Sequence, residues 1–242
     1  MARGLPDAGN IVTVQQGQVV SDMAELAVRL YSPVIYSRSG KVLYLDDFEK
    51  GIGAWTRAAT GLAGEIVLTS EWVYLGGLAC IITTHDTGNS IASISKRFPP
   101  VDLQVLGGQM CFAVVTAVKW LDFEIRLEDG DDSYYFNARY EHTTGKLYVQ
   151  TGMLAYTEFA DHGVLSEGLG IYHHVKLYVD TQSKTFVRLL FDNVSYNLSS
   201  YAPASQPGGA SHREDVWIRV TSQDDVSAIV YVDSIVLTTD EV

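Results

Sequence analysis

From Val42 onward, apolar and polar residues alternate in short runs, each bounded by Gly, Asp, Asn, Ser or Pro. A two-residue period turns one side of a segment toward a core and the other toward water, the pattern of strands in a sandwich or barrel. It predicts strands near 42–48, 64–75, 78–84, 90–97, 108–118, 119–128, 133–141, 146–151, 171–180, 184–192, 214–222 and 226–239. Residues 199–214, with Pro203, Pro207 and Gly208-Gly209, read as the longest irregular surface loop. Gly76-Gly77 and Gly107-Gly108 read as turns or bulges at strand starts.

Between Lys119 and Thr151 the alternation is regular enough to assign faces. Leu121, Phe123, Ile125 and Leu127 point one way; Trp120, Asp122, Glu124, Arg126 and Glu128 point the other. Asp129-Gly130-Asp131-Asp132 suits a tight hairpin, and pairing Glu128 with Ser133 sets Asp122 by Arg139, Glu124 by Asn137 and Arg126 by Tyr135. A slip of one residue would mix apolar with charged side chains, so this register is favoured. Continuing through the next turn adds Tyr148 beside Arg139 and Gln150 beside Asn137. The result is a polar face of Trp120, Asp122, Glu124, Arg126, Tyr135, Asn137, Arg139, Tyr148 and Gln150. Aromatic faces can stack on sugar C–H surfaces while carboxylates, amides and guanidinium groups fix hydroxyls, so these residues are the candidate glycan-binding set. An ordinary solvated face stitched by cross-strand pairs, or one covered by the N-terminal arm or a neighbour, fits the same pattern.

Residues 1–44 behave differently. Ile11-Val12-Thr13-Val14 suits one short strand, and Asp22 with Glu25 resembles a capping box opening a short helix through Met23, Leu26, Ala27 and Leu30 that must stop before Pro33. That is too little for a core of its own, which predicts an arm held by the chain's sandwich or by a neighbouring subunit.

Two phrases bracket the strands: Asp46-Asp47-Phe48-Glu49 running to Trp55, and Ile229-Val230-Tyr231-Val232-Asp233-Ser234-Ile235-Val236-Leu237. They resemble the first and last strands of the concanavalin-like and carbohydrate-binding-module jelly rolls, over roughly residues 43–240. The resemblance implies an all-β antiparallel jelly-roll sandwich at 45–242, behind an extended N-terminal arm at 1–44 that contains one short helix. In such modules, acidic residues from both phrases often hold a structural Ca²⁺, and the matching positions are Asp47, Glu49 and Asp233. A hydrogen-bonded carboxylate capping the N-terminal turn fits them equally. The jelly-roll glycosidases of this kind carry a Glu-x-Asp-x-(x)-Glu strand, and Asp122-Phe123-Glu124-Ile125-Arg126 does not match it. Arg126 and Arg139 would also hold these carboxylates ionised, which suits a general acid poorly.

Composition narrows the functional classes. A chain of 242 residues, 47% hydrophobic and 19% charged, can bury a substantial core, and a net charge of −12 argues against nucleic-acid or anionic-membrane partners. No stretch approaches the ~20 apolar residues of a membrane span. The opening Met1-Ala2-Arg3-Gly4-Leu5-Pro6-Asp7 has no apolar run behind the arginine, which predicts no signal peptide and synthesis in a cytoplasm. On that expectation, the glycosylation patterns at Asn193 and Asn197 are coincidental. Cys80 and Cys111 fall in apolar strands and read as buried free thiols, with one disulfide across the sandwich as the alternative. His173-His174 alternate across a strand and cannot chelate one metal, while His85, His142, His162 and His212 sit in polar turns where solvated histidines are expected. With no catalytic motif, three functions stand. They are a non-enzymatic structural protein of a particle such as a virion, homo-oligomeric or bound to other subunits through residues 1–44, with possible glycan adhesion; a carbohydrate-binding module or lectin-like adhesin; and a glycoside hydrolase.

Overall fold

The computed structural model describes residues 41–60, 64–74, 76–99, 105–208, 212–223 and 225–239, so the short helix and strand expected before residue 40 lie outside the described residues. The described strands are Lys41–Asp46 (β1), Thr56–Ala59 (β2), Glu65–Thr69 (β3), Ala79–Thr83 (β4), Ile91–Phe98 (β5), Val105–Thr116 (β6), Val118–Asp129 (β7) and Asp132–Glu141 (β8). They continue with Lys146–Gly152 (β9), Ala155–Asp161 (β10), His173–Asp180 (β11), Thr185–Phe191 (β12), Val194–Asn197 (β13), Ala204–Pro207 (β14), His212–Ser222 (β15) and Ile229–Thr239 (β16).

Every pairing is antiparallel, and the strands form two sheets. The first runs β13-β12-β11-β6-β16-β4-β3, with β1 beside the far half of β16; the second runs β10-β9-β8-β7-β15-β5-β2, with β14 beside the near half of β8. Alternate side chains of both sheets meet in one core. Met110, Phe112, Val114, Val230, Val232 and Leu237 come from the first sheet, and Ile94, Leu121, Phe123, Ile125, Phe136 and Ile218 from the second. A smaller apolar cluster of Ala79, Ala113 and Tyr231, with Val73, Ile81 and Tyr172 against it, lies apart from this core.

Several expectations change. Gly107 and Gly108 lie inside β6 rather than at a turn, and a Cβ at Gly108 would come within 2.9 Å of Ile125 Cδ1 and 3.2 Å of Phe123 Cζ. Glycine there lets the two sheets approach each other. The strand expected over 64–75 stops at Thr69, and Trp72 has a positive φ of 55°. Asp233 shares a face with Ile229 and Tyr231 as expected, but a register shift between Val232 and Ser234 returns Ile235 to the main core. The expected loop at 199–214 holds β14 and the start of β15. Strands β2, β10, β13 and β14 were missed because they lie along sheet edges, where backbone pairing forms the strand without a clean apolar alternation. Both cysteines are free and buried.

Gly108→Val should lower the free energy of unfolding by about 1–3 kcal/mol in urea titrations, through overpacking between the sheets. Gly53→Ala, where an added Cβ meets nothing within 4 Å, should change it by less than about 0.5 kcal/mol.

Candidate functional site

The polar meander face forms in the expected register: Asp122 opposite Arg139, Glu124 opposite Asn137, Arg126 opposite Tyr135, and Tyr148 opposite Arg139. The other neighbour of β7 was not foreseen. On that side β15 sets Arg213 by Glu128, Asp215 by Arg126, Trp217 by Glu124 and Arg219 by Asp122. Beyond β9, β10 adds Tyr156 beside Gln150 and Glu158 beside Tyr148. The Arg-Glu-Asp-Val-Trp-Ile-Arg run of β15 carries the same alternation that revealed β7, so the signal was present; what sequence could not supply was the long-range pairing.

The charges on this face are closely matched. Asp122, 1% exposed, accepts hydrogen bonds from Arg139 Nε at 2.7 Å and Nη2 at 3.0 Å, with Arg219 Nη1 3.9 Å from its Oδ2. Glu124, 2% exposed, accepts from Arg126 Nε at 3.1 Å and Nη2 at 2.9 Å through Oε1, and from Asn137 Nδ2 at 3.2 Å through Oε2. Each guanidinium also lies against two rings. Arg139 is 4.5 Å from the Trp120 ring centre and 3.7 Å from that of Tyr156, and Arg126 is 4.6 Å from Tyr135 and 4.9 Å from Trp217. Arg139 also donates to the Tyr156 hydroxyl at 3.0 Å, and burial, with the Asp122 charge, pushes that hydroxyl's pKa up to about 12.

Around this centre, Glu141 accepts from Trp120 Nε1, Tyr148 Oη and Thr144 Oγ1, while Arg213 pairs with Glu128 and, at 3.3 Å, with Asp215. Gln150 turns aside, donating to the carbonyls of Gly152 and Met153 instead of joining Asn137. Asn137 Oδ1 and Trp217 Nε1 are enclosed and have no hydrogen-bond partner among the described residues. They sit on one cross-strand row, either side of Glu124.

No protein-family model matches this chain, and no curated protein matches it. Solved structures do. A conserved carbohydrate esterase from the Shiga toxin-encoding bacteriophage phi24B is similar over 84% of this chain and 100% of its own, at 13% identity and a TM-score of 0.56. An endo-beta-1,4-glucuronan lyase from the fungus Trichoderma reesei is similar over 82% and 96%, at 12% identity and a TM-score of 0.57. Peanut lectin is similar over 82% and 97%, at 12% identity and a TM-score of 0.50. The fold is a concanavalin-like jelly-roll β-sandwich. At these identities the likeness reaches the fold alone.

The carboxylates that bracket this jelly roll do not meet at one point. The buried member of the opening phrase is Asp46, which accepts from Phe48 N at 2.9 Å, Trp55 Nε1 at 2.8 Å and the Tyr44 hydroxyl. Of the calcium candidates, Asp47 accepts from Glu49 N, Glu49 from the Gly77 and Leu78 amides, and the fully buried Asp233 from Tyr74 N at 2.9 Å. No group of three or more metal-capable side chains occurs among the described residues. Three carboxylates turned to separate backbone amides do not fit a shared calcium as they stand: Asp47 caps the turn after β1, while Glu49 and Asp233 hold the connection before β4.

His212 is exposed as expected, but His142 and His162 depart from the solvated expectation. His142 is buried with Nε2 2.7 Å from Glu167 Oε1, and His162 Nδ1 is 2.8 Å from the Tyr196 hydroxyl. His173 Nδ1 is 2.9 Å from Asp192 Oδ2 and its Nε2 is 3.2 Å from the Ser166 carbonyl. Both partners only accept, so this geometry favours the protonated His173, which donates from both nitrogens. Burial opposes that charge, but the hydrogen bond and charge of Asp192 outweigh it and raise the His173 pKa above 6.5. Burial likewise works against the Asp192 carboxylate, and the His162 and His173 contacts prevail and lower its pKa. His174, whose burial brings its pKa down to about 4, faces the other way along the strand.

The signs decide the pH response. The His173 contribution to stability is complete below 6.5 and is lost as pH rises through its raised folded value; the Asp192 contribution is present above 3.8 and is lost as pH falls. His174 runs against His173, because burying it neutral destabilises the fold as pH drops from 6.5 toward 4. The clean readout is therefore a difference between variants. His173→Gln should be less stable than wild type by about 1–2 kcal/mol at pH 5.5, with the gap closing by pH 9, measured by urea unfolding at each pH.

Proposed function

We propose that this chain is a non-catalytic glycan-binding module, and that it binds through the outer face of the second sheet. The observation that carries this reading is the unpaired donor and acceptor, Trp217 Nε1 and Asn137 Oδ1, on one row of a face whose other charges are matched. A sugar hydroxyl both donates and accepts, and such groups favour a polyhydroxy ligand once side chains shift slightly to admit it. Trp120, Tyr135, Tyr148 and Tyr156, each partly exposed around the row, supply apolar surface for pyranose C–H groups. Guanidinium groups hold Asp122 and Glu124, which speaks against the pair of free carboxylates that glycoside hydrolysis needs.

A second reading places the module on a virion or another particle, assembled through residues 1–44. Its support is the fold likeness to a bacteriophage protein.

A glycan array probed with the full chain should show discrete positive glycans. Trp217→Ala with Asn137→Ala should weaken them at least tenfold with the fold retained, and an array blank with and without calcium would contradict the first reading. For the second, light scattering should show an oligomer that deletion of residues 1–40 reduces to a monomer. A chain that is strictly monomeric, and whose deletion of residues 1–40 changes neither assembly nor particle attachment, sinks the particle role.

A further inference from the structure

The connection between β3 and β4 presents aromatic side chains far from the face just described. Trp72 is 50% exposed and Tyr74 46%. Solvent-exposed rings on a mobile tail would mean little, but this segment is fixed at several points. Val73, between the two rings, packs on Ala79, Ala113 and Tyr231. Asp233 accepts from the Tyr74 amide at 2.9 Å, Glu49 accepts from the amides of Gly77 and Leu78, and the Tyr172 hydroxyl donates to the Trp72 carbonyl. The Tyr74 ring centre stands 5.3 Å from that of Tyr172 and 5.5 Å from that of His174. Trp72 itself has a φ of 55°, a conformation that bulky residues rarely adopt, and its ring lies over Gly170, close enough that any side chain there would touch it. A strained backbone held by three hydrogen-bonding side chains and by the packing of Val73, with a tryptophan kept half in water, points to a use for that ring.

We propose that Trp72 and Tyr74, with the Glu71 carboxylate beside them, form a second carbohydrate-binding site that takes the apolar face of a pyranose. The stacking surface comes from the two rings, and the exposed Glu71 can accept sugar hydroxyls. Glu71 directly precedes Trp72 on this connection and is exposed. Area favours a small ligand over a protein. Two half-exposed rings offer about 200 Å², while a stable protein interface buries about 800 Å² on each partner. Leu169 and Ile171, each about two-fifths exposed, extend the patch without closing that gap. This site does not depend on the outer face of the second sheet, and each can fail without the other.

The test titrates the full chain with cellohexaose, laminarihexaose, maltohexaose, mannohexaose and chitohexaose, read by tryptophan fluorescence and calorimetry. At least one should give a binding event that Trp72→Ala weakens tenfold or more and Trp217→Ala leaves in place. Glu71→Gln keeps both rings and should weaken the same event several-fold at an unchanged melting temperature, so the proposal stays testable if the Trp72 variant misfolds. It is overturned if no hexasaccharide gives a Trp72-dependent event, or if Trp217→Ala removes the same event, making the two sites one. It is also overturned if Trp72→Ala changes only an oligomer into a monomer by light scattering, which would assign the patch to a second copy of the chain.

Discussion

Asp122 and Glu124 lie on the middle strand of the second sheet and are almost shut off from water, and the strands around them are arranged so that each carboxylate meets a guanidinium group. An isolated buried charge would oppose folding by several kcal/mol, so this pairing constrains everything beside it. It fixes β8 against β7, because only one register brings Arg139 to Asp122 and Asn137 to Glu124. On the other side, β15 stands where Trp217 can lie against Arg126 and Arg219 can approach Asp122. The aromatic rings then serve as walls against which the planar guanidinium groups lie. A face built this way has its charged side chains held by one another.

The same device recurs at the ends of the sandwich, with backbone amides in place of arginine. Asp46 holds the turn after β1, Glu49 and Asp233 hold the segment before β4, and Asp192 ties the hairpin after β12 to β11 through the His174 amide. An anion facing several N–H groups is strongly bound, and each such carboxylate anchors a connection that has little apolar surface of its own. Asp46, Glu49, Asp192 and Asp233 each hold a connection in this way.

The alternation of residues 119–151 was legible from sequence because a two-residue period and a tight Asp-Gly turn leave one acceptable register. Fold class followed from the series of such runs. Edge strands such as Thr56–Ala59 and Ala204–Pro207 were not legible, since partners far away in sequence make them strands. The neighbour relation of Trp217 to Glu124 was hidden for the same reason: β15 begins 83 residues after β7 ends at Asp129. The Asp192 cluster joins His162, His173 and Ser166 across three separate segments, and single residues in turns carry no periodic signal. Gly108 looked like punctuation, and only the facing sheet reveals it as a point of close approach.

A double-mutant cycle on Asp122 and Arg139, measured as unfolding free energy for Asp122→Leu, Arg139→Met and the pair, tests most directly whether charge pairing organises the outer face. Each single change should destabilise by about 3 kcal/mol and the double by clearly less than their sum, for a coupling of at least about 2 kcal/mol. A coupling under about 0.5 kcal/mol, the size of an ordinary surface pair, would contradict it.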